Sequence, residues 1–361
     1  MPNVQLTVKG KRYGGWKRIR ASRSIEHVAG QFELEVTDRW PLQNVPWQIA
    51  EGDECKLELE DIQVISGYVD SRSIGYDARG HSFSVVGRDK TADLVDSSAI
   101  LDRWEFSGQS AKKIIDAVAA PFGTPIAIAE GLTLPAPQGK FSISPGDSAF
   151  DAISRICAIS GVLVVPDGKG GLLITRAGAE RVDTALVEGL NILAASADYS
   201  HANRFYRYVV AGQHPGSDDF YGEAAASVKA EAFDKKVRPG RVLMVRPEGN
   251  VTIAAAQERA NWEATVRAGR GAGVQVTVRG WTTARGELWP INKIVPIRSP
   301  LLGLDADMLI TSAAYSLDDQ SGTLTRLTLA RPDAFTPEPY VPETETAGQE
   351  WNLTSEDPDE E

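Results

Sequence analysis

Apolar and polar residues alternate along much of the first hundred positions, which is the period of a β-strand with one buried face. Val4, Leu6 and Val8 keep this rhythm, as do Phe32, Leu34 and Val36, then Leu57 and Leu59, then Phe83 and Val85. Gly14-Gly15, Pro41, Pro46, Gly52 and Gly80 punctuate the runs where turns are required. Short strands with short turns predict a sandwich or a barrel, and a barrel is favoured because closure removes exposed sheet edges.

The period then changes. Ala111, Ile114, Ile115, Val118 and Phe122 fall on one helical stripe behind Ser110 as N-cap, with Gly123 and Pro125 as the stop. A second helix is predicted over 147–159, where Phe150, Ile153, Ile156 and Cys157 share a face and Gly161 follows. A hairpin is expected from 162–165 and 171–175 around Asp167-Gly168. These elements make a small α+β domain over 98–178.

Strand patterns return from about residue 180, at 207–211, at Val274, Val276 and Val278, and at 309–315 with 323–329 around a turn at 318–322. A third helix over 253–268 interrupts them. Its predicted apolar face, Ala256, Ala260, Trp262 and Val266, is small enough to lie close to another element, including one of a neighbouring subunit. Residues 66–89 and 310–333 both read strand, Asp-containing turn, strand, and this suggests two related barrels.

The chain has 361 residues, enough for two to four domains. Its net charge is −11, but eight acids and no Lys or Arg lie in 343–361, so the body carries only −3. Residues 336–361, rich in Pro, Glu and Thr, are expected to be a disordered acidic tail unless a partner orders it. The body offers no strongly basic surface for gripping nucleic acid. No apolar run approaches the ~18 residues of a membrane span, and the N-terminus enters a strand pattern without the features of a signal peptide. The expectation is a chain folded in a cytoplasm, with no membrane insertion and with Cys55 and Cys157 as buried free thiols.

Candidate chemistry is sparse. Histidines 27, 81, 201 and 214 have no ligand spacing, and there is no G-x-S-x-G elbow. Asp93 and Asp96 fit capping or surface hydrogen bonds better than an acid–base pair. Gly168-Lys169-Gly170-Gly171 reads as a hairpin turn. Gly269-Arg270-Gly271-Ala272-Gly273 follows a helix, whereas phosphate binding uses a helix N-terminus, so it reads as a C-cap and connector. Trp16, Trp40, Trp47, Trp104, Trp281 and Trp289 are expected in cores or subunit interfaces rather than stacking on sugars or bases. No catalytic, cofactor-binding or metal-binding residue is predicted, and the chain is read as a structural protein, not an enzyme. The alternatives are a cell-wall hydrolase or a carbohydrate-binding β-protein.

Five strings occur in a fixed order: Arg23-Ser24-Ile25-Glu26 with Ala29-Gly30-Gln31-Phe32-Glu33-Leu34; Gly67-Tyr68-Val69-Asp70-Ser71-Arg72; Gly87-Arg88-Asp89-Lys90-Thr91-Ala92-Asp93-Leu94-Val95-Asp96; Gly280-Trp281-Thr282; and Gly286-Glu287-Leu288-Trp289. Over residues 4–335 the chain resembles the baseplate hub family of phage Mu and related contractile-tailed phages. The resemblance implies a virion protein of the tail baseplate, assembled in the host cytoplasm. It implies a homotrimer with two tail-tube-like β-barrels per subunit, hence a pseudo-six-fold ring. That ring would join the tail tube protein to the central spike protein, contact other baseplate proteins and leave a channel for DNA. A similar module is expected in type VI secretion spikes. On this reading 1–97 is the first barrel, 98–178 the α+β domain, 179–240 with 273–335 the second barrel, and 241–272 a helical insertion. The Gly87–Asp96 string would end a strand and lock either a domain junction or a subunit contact.

Overall fold

A computed structural model describes residues 3–36, 48–76, 81–137, 140–212, 228–247 and 251–339. Trp40, Trp47, His214 and the acidic run from 343 onward lie outside the described residues.

The alternating segments of the first ninety residues form seven strands: β1 (Val4–Val8), β2 (Lys11–Tyr13), β3 (Arg18–Ser24), β4 (Gln31–Val36), β5 (Glu54–Leu59), β6 (Ile62–Tyr76) and β7 (His81–Asp89). Their buried positions recur every second residue, as in β4, where Phe32, Leu34 and Val36 point inward and Gln31 and Glu33 outward. The middle of the chain carries α1 (Ala92–Asp96), β8 (Glu105–Ser107), α2 (Ala111–Ala119), β9 (Ile126–Ile128), β10 (Lys140–Ser142), α3 (Ala149–Ile159), β11 (Leu163–Pro166) and β12 (Leu172–Thr175). Both longer helices begin where a serine satisfies a free backbone N–H: Ser110 Oγ accepts from Lys113 and Ser148 Oγ from Asp151. Ile114, Ile115 and Val118 of α2 and Ile153, Ile156 and Cys157 of α3 meet in a separate core with Phe106 and Phe141.

The rest comprises β13 (Glu180–Arg181), β14 (Leu186–Val187), β15 (Ile192–Tyr199), β16 (Arg207–Gly212), β17 (Val228–Phe233), β18 (Val242–Val245), α4 (Ile253–Arg270), β19 (Ala272–Arg279), β20 (Lys293–Ser299), β21 (Leu304–Asp318) and β22 (Gly322–Ala330). Strands β16, β17 and β18 differ from expectation. They form their own three-stranded sheet under α4 and not a continuation of the second barrel. Tyr208, Val210, Ala230 and Ala232 bury against Ala256 and Ala260 of the helix, and this apolar contact draws 207–245 together with the insertion. The small-residue face of α4 is therefore covered within its own chain. Trp262 lies beside that face, and the helix turns Glu263 inward instead.

One sheet runs through both strand-rich regions in the order β15-β19-β22-β21-β3-β4-β7-β6-β5-β1-β2, with β20 also on β21. The two halves repeat the same plan. Order β3-β4-β7-β6-β5 in the first corresponds to β15-β19-β22-β21-β20 in the second. The hairpins β6–β7 and β21–β22 each join a strand of 15 residues to one of 9. Both carry one irregularity at the matching place, between Val69 and Ser71 and between Ile310 and Ser312. The fold is mainly β. Among the described residues neither half closes on itself. Its sheet passes instead into the other half, because β21 pairs with β3.

Candidate assembly surface

Strand β21 changes partners along its length. Residues Leu304–Leu309 pair with β20 of their own half, and Ser312–Leu317 pair with β3 of the other half. On the core side of this seam Ile19, Ala21, Ala313 and Tyr315 are all buried. Full burial of a side chain such as Ile19 contributes about 1.5–3 kcal/mol. The Tyr315 hydroxyl donates to the Trp289 carbonyl at 2.5 Å, and burial pushes its pKa up to about 12. The late tryptophans hold the same seam. Trp281 donates to the Ser316 carbonyl at 3.0 Å, and the Trp289 N–H to the Trp281 carbonyl at 3.0 Å, across a turn at Gly286. Trp16, Trp281 and Trp289 are core residues, and Trp104 packs at the edge of the middle core.

On the other side of the sheet the outward residues are polar, with exposed Arg326 between Thr277 and Ala314 and two cross-strand ion pairs. Arg18 meets Glu35 at 2.7 Å and Arg20 meets Glu33 at 3.6 Å across β3 and β4. Ser312, Ala314 and Ser316 of β21 and Gln275 and Thr277 of β19 extend this face through the second half.

The Gly87–Asp96 string forms the junction between the first half and the middle domain. Gly67 and Gly87 stand where backbones cross: a Cβ at Gly67 would lie 1.8 Å from the Arg88 carbonyl oxygen, and one at Gly87 2.6 Å from the Phe32 ring. Arg88 donates to Asp70 at 2.5 Å and to Asp96 at 2.7 Å, and its hydrogen bond holds Asp96 below the usual carboxylate range. Lys90 reaches Glu54 at 2.6 Å, and Thr91 donates to the Val28 carbonyl at 2.9 Å. Asp89 is buried, and desolvation raises its pKa to about 7 despite the opposing charge of Arg23, with Asp167 adding to the rise. The Gly168–Gly171 segment connects β11 to β12 and docks here. Gln63 donates to the Gly168 carbonyl at 3.0 Å, and Arg23 to that of Pro166 at 3.1 Å.

Gly269–Gly273 leads from α4 into β19, with Gly269 pressed against Ala334. Beside it lies a groove of about 320 Å³ lined by Arg204, Arg259, Trp262, Arg267 and Arg270. Three of those arginines are already held: Arg259 and Arg267 by the buried Glu263, and Arg204 by Asp234 at 2.6 Å. Arg259 also pairs with Glu338.

Of the expected chemistry, His27 and His201 are exposed and Asp96 is an ion-pair partner of Arg88. Cys55 and Cys157 are buried free thiols, with pKa values pushed up to about 12 by burial. Among the described residues no cluster of three or more His, Cys, Asp or Glu is placed to hold a metal. No described helix is long and apolar enough to cross a membrane.

Among the described residues two strand segments pair on one side only. Asp70–Gly75 of β6 pair with β7 beyond the end of β5, whereas Val69 is bonded also to Gly52 and Asp53. Among the described residues β15 pairs with β19. Neither feature stands out in the sequence, where both read as ordinary strands.

Comparison with known proteins places these features. Residues 3–89 match the N-terminal family of Mu phage baseplate assembly protein GpP-like proteins, 91–176 the second domain of baseplate hub protein gp44-like proteins, and 252–338 the fourth domain of Mu phage baseplate assembly protein GpP. The chain is 30% identical to baseplate hub protein gp44 of Escherichia phage Mu over 92% of its own length and 88% of that protein. It is 32% identical to the 43 kDa tail protein of prophage MuSo2 from Shewanella oneidensis, with a TM-score of 0.82 over 92% of this chain and 99% of that one. The tail protein of Neisseria meningitidis MC58 shares the fold, at 23% identity and a TM-score of 0.78, over 94% of this chain and 99% of that one.

Proposed function

Because the chain belongs to the baseplate hub family of phage Mu, we propose that three copies of it close into a ring joining the tail tube to the central spike. The protein is a structural component of a phage tail baseplate and not an enzyme, as its matched relatives are baseplate and tail proteins.

The observation that carries the ring is the duplicated half joined to its twin by one shared sheet. Two similar halves per chain give six similar positions from three chains, which lets one ring meet a six-fold tube on one side and a three-fold spike on the other. Each half is then a tube-like barrel completed by its neighbours rather than closed alone. Residues 1–97 and 179–206 with 272–335 supply the two halves, 98–178 the peripheral α+β domain, and 207–271 an insertion.

Eight strands of each chain lie between β15 and β6, so three chains would close a sheet of twenty-four. Closed sheets of ~16–18 strands already leave an aqueous channel, so this one has an open lumen wide enough to serve as a conduit. The outward face of the strands would line it. Its Arg18–Glu35 and Arg20–Glu33 pairs, the opposite charges of Arg326 and Asp198 and its Ser, Thr and Gln residues leave little net charge, so passing DNA phosphates are not held. Tail tube, spike and other baseplate proteins are the partners of the ring, and the virion baseplate its site, reached after assembly in the host cytoplasm.

The test is solution mass by light scattering over a concentration series, alone and with the cognate spike and tube proteins. A species near three times 39.0 kDa is expected. A chain that stays monomeric alone and with both partners would overturn the ring.

A further inference from the structure

The groove beside α4 carries more positive charge than its own contacts use. Four arginines line it: Arg204, Arg259, Arg267 and Arg270. The carboxylates set against them are Glu263, shared by Arg259 and Arg267, and Asp234, on Arg204. Two positive charges are left over. Arg270, in the last turn of α4, is exposed and has no ion-pair partner among the described residues. Arg241 adds another charge behind the groove, where it donates to the carbonyls of Ala202 and Arg204 at 2.7 and 2.9 Å.

The chain brings its own carboxylates to this place. After β22 it passes along α4 from the C-terminal end of the helix towards the N-terminal end. Ala334 packs on Gly269, the Thr336 carbonyl accepts from the Trp262 indole at 2.8 Å, and Glu338 pairs with Arg259. Trp262 and Arg259 are themselves walls of the groove. The last described residues therefore stand at its rim, with one carboxylate already on one of its arginines. Next in the sequence comes the run 343–361, with eight acids and no Lys or Arg.

We infer that the acidic run 343–361 occupies this groove in its own copy of the chain, its carboxylates answering the arginines that Glu263 and Asp234 leave unbalanced. The length of the run is ample. Arg270 lies 11 residues along α4 from Arg259, about 16 Å at the rise of a helix. Glu343, Glu345 and Glu350 follow Glu338 by 5, 7 and 12 residues, and 12 residues span up to about 40 Å. That allows one reversal after Glu338 and still reaches Arg270. The chemistry is matched as well, since guanidinium forks and carboxylates form strong charge-assisted pairs. A basic groove closed in this way is not offered to other polyanions. The occupancy needs only one copy of the chain and does not depend on the ring.

The test is zero-length cross-linking of the full chain carrying Arg270→Lys, a conservative change at an exposed position. A carbodiimide joins an amine to a carboxylate that touches it, and mass spectrometry maps the link. Lys90 and Glu54, 2.6 Å apart, are the internal control for the reaction. Exposed Lys113 of the middle domain is the control for indiscriminate contact. At low salt, position 270 should link to acids of 343–361, and Lys113 should not. The link should be lost at about 1 M salt, where the screening length falls to ~3 Å. In an equal mixture of heavy- and light-isotope chains, both ends of the link should carry the same isotope. A Lys90–Glu54 link without one from position 270 would overturn the occupancy, as would a run that links equally well to Lys113. Links that join heavy to light chains would overturn its assignment to the same copy.

Discussion

Asp89 is a buried carboxyl at the junction of two domains whose cost depends on pH. Its carboxyl is buried at the foot of the Gly87–Asp96 string, and its pKa of about 7 lies well above the unfolded value. A folded-state pKa above the unfolded one means that the native state binds the proton more tightly. The associated stability is fully present below the unfolded value and is lost as pH rises through about 7. Asp89→Asn is neutral at every pH and removes this dependence. The variant should melt higher than the parent at pH 8, with the gap narrowing towards pH 5. Thermal unfolding at both values is the check, and a gap that does not change with pH would show that Asp89 is not the titrating group. This string is one of the five that carry the family resemblance. It could not show that Asp89 is buried while Arg88 and Lys90 on either side reach Asp70, Asp96 and Glu54, because those partners lie 8 to 36 positions away.

At the scale of elements, periodicity located the helices well and failed where tertiary contacts chose between faces. The Ser110 cap and the stop at Gly123 follow from local chemistry and are where the sequence puts them, while the second helix, expected from 147, begins at Ala149 behind a Ser148 cap. Helix α4 is a different case. Its hydrophobic pattern is weak, and Trp262 looks like an inward residue by type alone. In the fold Ala256 and Ala260 press on β16 and β17, Glu263 is buried between Arg259 and Arg267, and Trp262 sits at the groove with its indole donating to the Thr336 carbonyl at 2.8 Å. A buried carboxylate is tolerated here because two guanidinium groups one turn away on either side satisfy it. The closeness of α4 to its sheet is what the alanines provide. Ala260→Leu should overpack that interface and cost about 1–3 kcal/mol, read as a lower denaturant midpoint. An unchanged midpoint would show that α4 packs loosely.

At the scale of the whole molecule the repeat is the central fact. The sequence hinted at it through two hairpins. The strand order shows it across five strands per half, together with the seam that fuses the halves. The barrel expectation was drawn from the need to cover sheet edges, and the single chain meets that need in part by passing its sheet from one half to the other. If the polar face lines a lumen, its charge pairing matters to passing DNA. Glu33→Lys with Glu35→Lys would replace both carboxylates beside Arg18 and Arg20 by cations. The assembled variant should then retain duplex DNA at low salt and release it as salt rises, whereas the parent should not retain it. A filter-binding series over ionic strength measures this. Equal retention by parent and variant would place that face away from the DNA path.

Alternation, capping residues and turn chemistry are local properties, and they sufficed to establish a mainly β chain with three principal helices, a composition without evident catalytic machinery and a resemblance to one family. Burial of Cys55 and Cys157 followed from their apolar surroundings. The partner of each strand did not follow. Pairing joins residues such as Ile19 and Leu317 that are distant in the chain, and every strand edge offers the same N–H and C=O groups. Only the folded sheet decides that β3 and β21 fill each other's edges within the chain, while β15 pairs on one side only among the described residues.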